Sequence, residues 1–179
     1  FQNQDTYADT AYKVNKMYEI FHKAGLNYVN GFTPPAWNAP DKLMNVLVKN
    51  GLKFLTSARD LNTPITRDAQ NNMSGMKNVS ILYPQLICDE KVVHIPTNFQ
   101  ITSTYERAFE IVEMGGILSI KAHMVKNFNG FDQIDGVTKE YMDFIDELLT
   151  QLKHKYNDNI WWTTPNEIAD KILNHEHHH

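Results

Sequence analysis

The chain has 179 residues, 42% of them hydrophobic and 21% charged, a composition that allows one domain with a sizeable core. Lysine and arginine number 17 against 21 acidic residues, and the net charge of −4 argues against nucleic acid or an anionic membrane as partner. Cys88 is the single cysteine, which excludes an intramolecular disulfide and a multi-cysteine zinc site. No apolar stretch approaches the roughly 20 residues needed to span a bilayer.

Helical and strand-like patterns alternate along most of the chain. In order, they predict a helix over 9–24, a strand over 26–32, a helix within 39–51, a strand over 52–58, a polar loop over 59–75, strands over 79–84 and 91–96, a helix over 104–114, a strand over 117–123, a helix over 138–156, a strand over 160–164 and a final helix over 164–173. This alternation implies βαβ units, and therefore an α/β fold with a mainly parallel sheet or barrel.

The two ends of the chain carry separate expectations. The sequence starts with Phe1 rather than methionine, so we expect it to be part of a longer protein. Residues 175–179, "HEHHH", have the composition of a purification-tag remnant rather than of a metal site. Residues 1–174 are then the folded domain.

In parallel α/β folds, functional residues lie at the carboxyl ends of the strands, where the loops converge. His123 ends an apolar strand, so its imidazole is expected at the rim of the sheet, where it suits general acid chemistry. A structural loop histidine is the alternative. His94, inside a strand, is expected to be a structural histidine whose hydrogen bonds are satisfied.

The loop "FTPPAW", residues 32–37, follows the first predicted strand. Pro35 fixes its own φ and biases Pro34 toward extended backbone, so the loop holds the Trp37 ring at little entropic cost. A rigid aromatic wall suits a sugar-binding groove, because a pyranose face packs against an indole ring. Alternatively, Trp37 covers the core.

Two other pairs of adjacent residues have open interpretations. Arg59 and Asp60, at the end of the second strand, either orient a catalytic group or are solvated charges. Trp161 and Trp162 lie on a predicted strand, where successive side chains alternate. One ring is therefore expected in the core and the other toward a neighbouring helix.

Four segments in this order resemble the polysaccharide deacetylase superfamily, the NodB-homology domain of carbohydrate esterase family 4. "TPPAW" is similar to the family's R-P-P-[FY]-G motif, and "GLKFLTSARD" to its following strand. "GGILSIKAH" is similar to its later strand ending in histidine, and "WWTTPNEIA" to its W-x-T-x-x-E-I segment. The resemblance implies a distorted, seven-stranded (β/α) barrel, here without its first strands.

The resemblance also implies a function and a site. The intact protein would be a metal-dependent hydrolase, with zinc the expected metal, that removes acetyl groups from a polysaccharide or glycan precursor. His123 would protonate the leaving amine, and Pro34, Pro35 and Trp37 would line the carbohydrate groove. The remaining site residues would be Arg59 and Asp60 near the orienting charges and Leu118 and Ile120 at the acetyl pocket.

This sequence departs from the family at its metal site. The Asp-Asp pair and the H-x-x-x-H segment that supply the base and the metal ligands in the family are not in it, and Thr33 stands where arginine is usual. Either they precede the chain shown, or the fold is a catalytically silent carbohydrate-binding module. Another metal-dependent amide or ester hydrolase is a third interpretation.

Overall fold

The structure is a computed structural model that describes residues 5–34, 39–59, 63–71, 76, 78–122, 127–128, 131–132 and 138–177. Five helices lie in these ranges: α1 (Tyr7–Lys23), α2 (Asp41–Lys49), α3 (Tyr105–Glu113), α4 (Lys139–Tyr156) and α5 (Pro165–His177). The strands are β1 (Gly31–Phe32), β2 (Phe54–Arg59), β3 (Gln85–Ile87), β4 (Val92–Thr97), β5 (Asn127–Phe128) and β6 (Phe131–Asp132). A short 3-10 helix, Asn157–Asn159, follows α4.

The main sheet is mixed and has the strand order β1-β2-β4-β3. β1, β2 and β4 run parallel, whereas β3 joins β4 in an antiparallel hairpin. Beyond β4, a single parallel bridge joins Phe99 to Ile120, so the segment 117–121 runs in the same direction as the parallel strands. The carboxyl ends of these four segments define what we call the carboxyl edge.

The helices begin where threonine side chains satisfy their free backbone N–H groups. The hydroxyls of Thr6, Thr104 and Thr138 accept hydrogen bonds from the third residue of α1, α3 and α4 respectively. Asp9 completes a capping box at the start of α1. α5 starts at Pro165 after Thr164, as the sequence predicts.

Helices cover both faces of the sheet. On one face, α1 and α2 pack against Leu55 and Val92, with Leu47 of α2 fully buried between them. On the other face, Ile168 and Ala169 of α5 pack against alternate strand residues such as Val93 and Ile95. The alternation along β4 thus assigns its successive side chains to different helical layers.

A further apolar cluster supports the segment 117–121. Phe99 and Ala108 meet Leu148 and Leu152 of α4 in this cluster, and Leu118 packs at its margin. Phe99 donates its N–H to Ser119 and accepts from Lys121, both at about 3 Å, which fixes the segment beside β4.

Four predicted strands are shorter than the sequence indicates, or absent, among the described residues. Of residues 26–32 only Gly31–Phe32 form a strand, because 26–29 find no ladder partner among the described residues. The segments 79–84 and 117–122 contribute isolated bridges, at Ser80 and Ile120. Residues 160–164 are irregular.

The fold is mixed α/β, and closure into a seven-stranded barrel stays a prediction. In the part of the chain that the structure describes, no helix combines the length and apolar character needed to cross a membrane. The division into residues 1–174 and a tag-like tail also stays a prediction; α5 continues through His177.

Candidate functional site

The predicted site residues follow segments that all point toward the carboxyl edge. β1 leads into the loop with Pro34, β2 ends at Arg59, and the segment 117–121 leads toward His123. Pro34 is buried, whereas Pro35, Trp37, Asp60 and His123 lie outside the described residues. The structure therefore brings the backbone segments that precede the predicted site residues to one edge of the sheet.

The first two strands are joined at this edge by side chains as well as by the ladder. The Thr33 and Thr56 hydroxyl groups are hydrogen-bonded to each other directly after the β1–β2 pairing ends. A neutral hydroxyl pair therefore holds the start of the Pro34 loop against β2.

The end of β2 is irregular where the predicted charge pair begins. The register with β4 shifts between Thr56 and Arg59, and Arg59 stands opposite Thr97. Such a bulge re-aims the residues that follow it, and bulges are common next to active sites. The Arg59 side chain and Asp60 lie outside the described residues, so their orienting role stays a prediction.

Asn98 is a buried polar residue at the carboxyl edge that the sequence interpretation missed. Its amide nitrogen donates to the carbonyls of Ile81 and Ile117, at 2.8 and 2.6 Å, and its oxygen accepts from the Ser119 N–H at 2.9 Å. The residue is 1% exposed. Asn98 therefore clamps the segment 117–121 to the end of β4. The only signal in the sequence is a polar residue directly after a strand.

A second contact fixes the far end of the same segment. The Tyr141 hydroxyl, on α4, donates to the carbonyl of Lys121, two residues before His123. The Tyr141 ring is buried and stacks at 6.3 Å from the ring of Phe144. α4 thus holds the backbone from which His123 departs.

Leu118 and Ile120 are both half-buried in the structure. They pack against the apolar cluster of Phe99, Ala108 and Leu148, on the α3 and α4 side of the segment. This contact accounts for part of the surface of each side chain. A contact with an acetyl methyl group stays a prediction.

His94 lies in the middle of β4 and is fully buried. The expectation of satisfied hydrogen bonds is wrong for the described residues, because neither ring nitrogen finds a partner among them. Desolvation by burial lowers the pKa of His94 to about 4. The ring is therefore neutral near pH 7 and shares with Val92 the face of β4 that α1 and α2 cover.

Metal binding needs several ligands that converge on one point. Among the described residues, no three His, Cys, Asp or Glu side chains form such a group. We therefore assign no metal ligand, and the expected zinc stays a prediction.

Trp161 and Trp162 lie between the 3-10 helix and α5. The expectation that one ring is in the core is wrong, because the two residues are 53% and 52% exposed. They do contact different elements: Lys171 of α5 lies 4.7 Å from the centre of the Trp161 ring, whereas Trp162 borders α4. A short irregular segment between two helices has no strand partner to bury either ring.

Trp162 lines an open groove of about 870 Å³ along α4 from Asp146 onward. Its other lining residues are Asp146, Leu149, Thr150, Lys153, Asn157, Asp158 and Ile160. Two of these residues, Leu149 and Ile160, also pack in the cluster of Phe99, Leu118 and Ile120, so the groove borders the apolar support of the segment 117–121.

No protein-family model matches this chain, and neither a curated protein nor a solved structure matches it.

Proposed function

We propose that the protein is a metal-dependent hydrolase that removes acetyl groups from a carbohydrate chain. The observation that supports this proposal is the common direction of β1, β2, β4 and the segment 117–121. Because of it, the backbones leading to the Pro34 loop, to Arg59 and to His123 leave the sheet at one edge. The motif resemblance supplies the reaction class.

In this proposal, His123 carries the proton chemistry. Its imidazolium protonates the leaving nitrogen as the carbon–nitrogen bond to the acetyl group breaks. The hydrogen bond from Tyr141 to the Lys121 carbonyl fixes the backbone two residues before His123. The Asn98 clamp fixes the other end of the same segment.

The substrate contacts follow from the same edge. Trp37, held by the rigid Pro34 and Pro35 backbone, stacks on a pyranose ring, and Leu118 with Ile120 contacts the acetyl methyl group. Arg59 or Asp60 orients the polar groups of the site. A bound divalent metal would polarise the acetyl carbonyl and lower the pKa of the attacking water.

A catalytically silent carbohydrate-binding module is the second candidate. The observation that favours it is the Trp162 groove, which offers an exposed aromatic ring. None of the proposed catalytic residues is among the described residues that line this groove. In such a module, Trp37 or Trp162 would matter for glycan affinity and His123 would not.

His123→Ala and Trp37→Ala variants of the protein expressed from its complete gene separate the two candidates. The substrate is a hexamer of β-linked N-acetylglucosamine with zinc present, and released acetate and glycan affinity are both measured. We expect His123→Ala to lose turnover and keep affinity, and Trp37→Ala to weaken affinity. Turnover that survives in His123→Ala would overturn the assigned acid.

A further inference from the structure

We propose that the groove beside Trp162 is a second glycan-binding site, which holds a chain of uncharged pyranose units along α4. The proposal depends on the proposed function only for the choice of ligand, an N-acetylhexosamine chain. The geometry of the groove itself is independent of that function.

The groove is built from one face of α4 and from the 3-10 helix and irregular segment that follow it. Its floor consists of α4 residues at helical spacing, of which Asp146, Leu149 and Lys153 are examples. Its wall consists of alternate residues after α4, namely Asp158, Ile160 and Trp162. Asn157, with φ of 49°, ends α4 and turns the chain so that this wall runs back along the helix.

Trp162 supplies the flat apolar surface that a pyranose ring needs. The indole is half-exposed and lines the groove together with residues of α4. Burying this ring against a ligand removes a large apolar area from water. Leu149 and Ile160, both half-buried, extend the apolar surface.

Polar groups around the ring suit sugar hydroxyls and amides. Asp146 and Asp158 offer acceptors, and Lys153 offers donors. No ion pair joins any of these three residues to another described residue, unlike Lys139 and Lys155 of the same helix, which pair with Asp143 and Glu113. The unpaired groups can therefore bind a ligand without first losing a salt bridge.

The charge of the groove selects among glycans. Asp146 and Asp158 against Lys153 leave an excess of one negative charge, which disfavours sulfated or uronic-acid chains. A volume of about 870 Å³ lies within the roughly 300–1,000 Å³ of ligand pockets, and the open side lets a chain pass through. An uncharged or N-acetylated chain fits these properties.

The three tryptophans of the chain give three reporters for a direct test. In ¹⁵N-labelled protein, each indole N–H gives one resonance, which Trp→Phe variants assign. During titration with the N-acetylglucosamine hexamer, we expect the Trp162 signal to shift. The Trp161 signal should move less, because Lys171 lies over that ring. A polygalacturonate chain should leave the Trp162 signal in place.

Substitution tests the same site by affinity. Trp162→Ala should raise the Kd of this groove for the hexamer by roughly tenfold, as expected when a central aromatic contact is lost. Trp162→Tyr should restore much of the affinity, and the matched control Trp161→Ala should keep it. Both tryptophans are exposed, so thermal unfolding should change little in the variants.

The outcomes separate this inference from the proposed function. A Trp162 shift without acetate release would support the groove and contradict the hydrolase. Acetate release with shifts confined to Trp37 would support the hydrolase and overturn the groove. Equal losses of affinity in Trp161→Ala and Trp162→Ala would also overturn it, because the groove excludes Trp161.

Discussion

β4 differs in character between its amino-terminal half and its carboxyl end. At the carboxyl end, Asn98 is buried with three hydrogen bonds to neighbouring backbone. Four residues earlier, His94 is buried and finds no hydrogen-bond partner among the described residues. Side-chain hydrogen bonds of Asn98 thus fix the backbone where the predicted catalytic loops leave the sheet, whereas the His94 side chain is held by apolar packing and makes no polar contact with the described residues.

The turn that enters β4 reinforces this contrast. Cys88, Asp89 and Glu90 all have positive φ, at 53°, 54° and 64°, a conformation that non-glycine residues rarely adopt. The structure accepts a strained turn and an unsatisfied imidazole at one end of the strand. At the other end both donors and the oxygen of the Asn98 amide are bonded, although the hydroxyl of the adjacent Thr97 is buried without a partner among the described residues.

Asn98→Asp should have the largest effect, because it removes both donors to the Ile81 and Ile117 carbonyls and adds a buried negative charge. We expect the free energy of unfolding to fall by roughly 3 kcal/mol or more, measured by urea denaturation. The control Asn45→Asp, exposed on α2, should change it by less than about 0.5 kcal/mol. Equal losses of unfolding free energy in Asn98→Asp and Asn45→Asp would contradict the structural role of the Asn98 hydrogen bonds.

His94 should make stability depend on pH. Burial lowers its pKa from 6.5 to about 4, so between these values the unfolded chain binds a proton that the folded chain does not. The free energy of unfolding therefore keeps the full contribution of neutral His94 above pH 6.5. It falls by roughly 3 kcal/mol in all as the pH falls toward 4.

Urea denaturation of His94→Leu at pH 7 and pH 4.5 measures this contribution. The variant should lose much less stability than the wild type between the two values. It should be at least as stable as the wild type at pH 7, because no buried nitrogen remains unpaired. His154→Leu, changed at an exposed position of α4, should keep the dependence due to His94. The same pH dependence in His94→Leu would contradict the assignment.

Tyr141→Phe tests whether the carboxyl end is held for function. It removes the hydrogen bond to the Lys121 carbonyl and should cost about 1 kcal/mol of stability. Tyr83→Phe is the matched control, because the Tyr83 hydroxyl donates to the Met114 carbonyl at 2.8 Å, before the amino end of that segment and not at the end that leads to His123. We expect comparable stability losses and a fall in acetate release for Tyr141→Phe alone. Equal turnover in the two variants would make the Tyr141 contact purely structural.

The smallest expected effect concerns the strained turn. Glu90→Gly should leave stability unchanged or raise it by up to about 1 kcal/mol, because glycine adopts positive φ without steric cost. Lys91→Gly, next to it but without positive φ, should lower stability. Thermal unfolding of the two variants measures the difference. A loss in both would mean that the turn is not strained.

Local signals explain which parts of the fold could be predicted from the sequence. The starts of α3, α4 and α5 carry Thr104, Thr138 and Thr164, whose capping bonds involve only neighbouring residues. The strands over 26–32 and 160–164 were overestimated because an apolar run does not reveal whether a pairing partner exists.

The candidate site was predictable only in part. The rule for strand ends selected the loops at the carboxyl edge, and the parallel direction of their strands agrees with it. Asn98 was missed because a lone amide after a strand has no periodic signal, and its three partners are distant in sequence. The Trp162 groove depends on the direction in which the chain leaves α4 at Asn157, and the sequence pattern does not reveal that direction.

The most direct measurement is the acetate released from the N-acetylglucosamine hexamer by the wild-type protein with zinc, after chelation, and after zinc is restored. The account predicts release with zinc, loss of release on chelation and recovery when zinc returns. No release with any divalent metal, from a folded protein that still binds the hexamer, would contradict the hydrolase and favour the binding module.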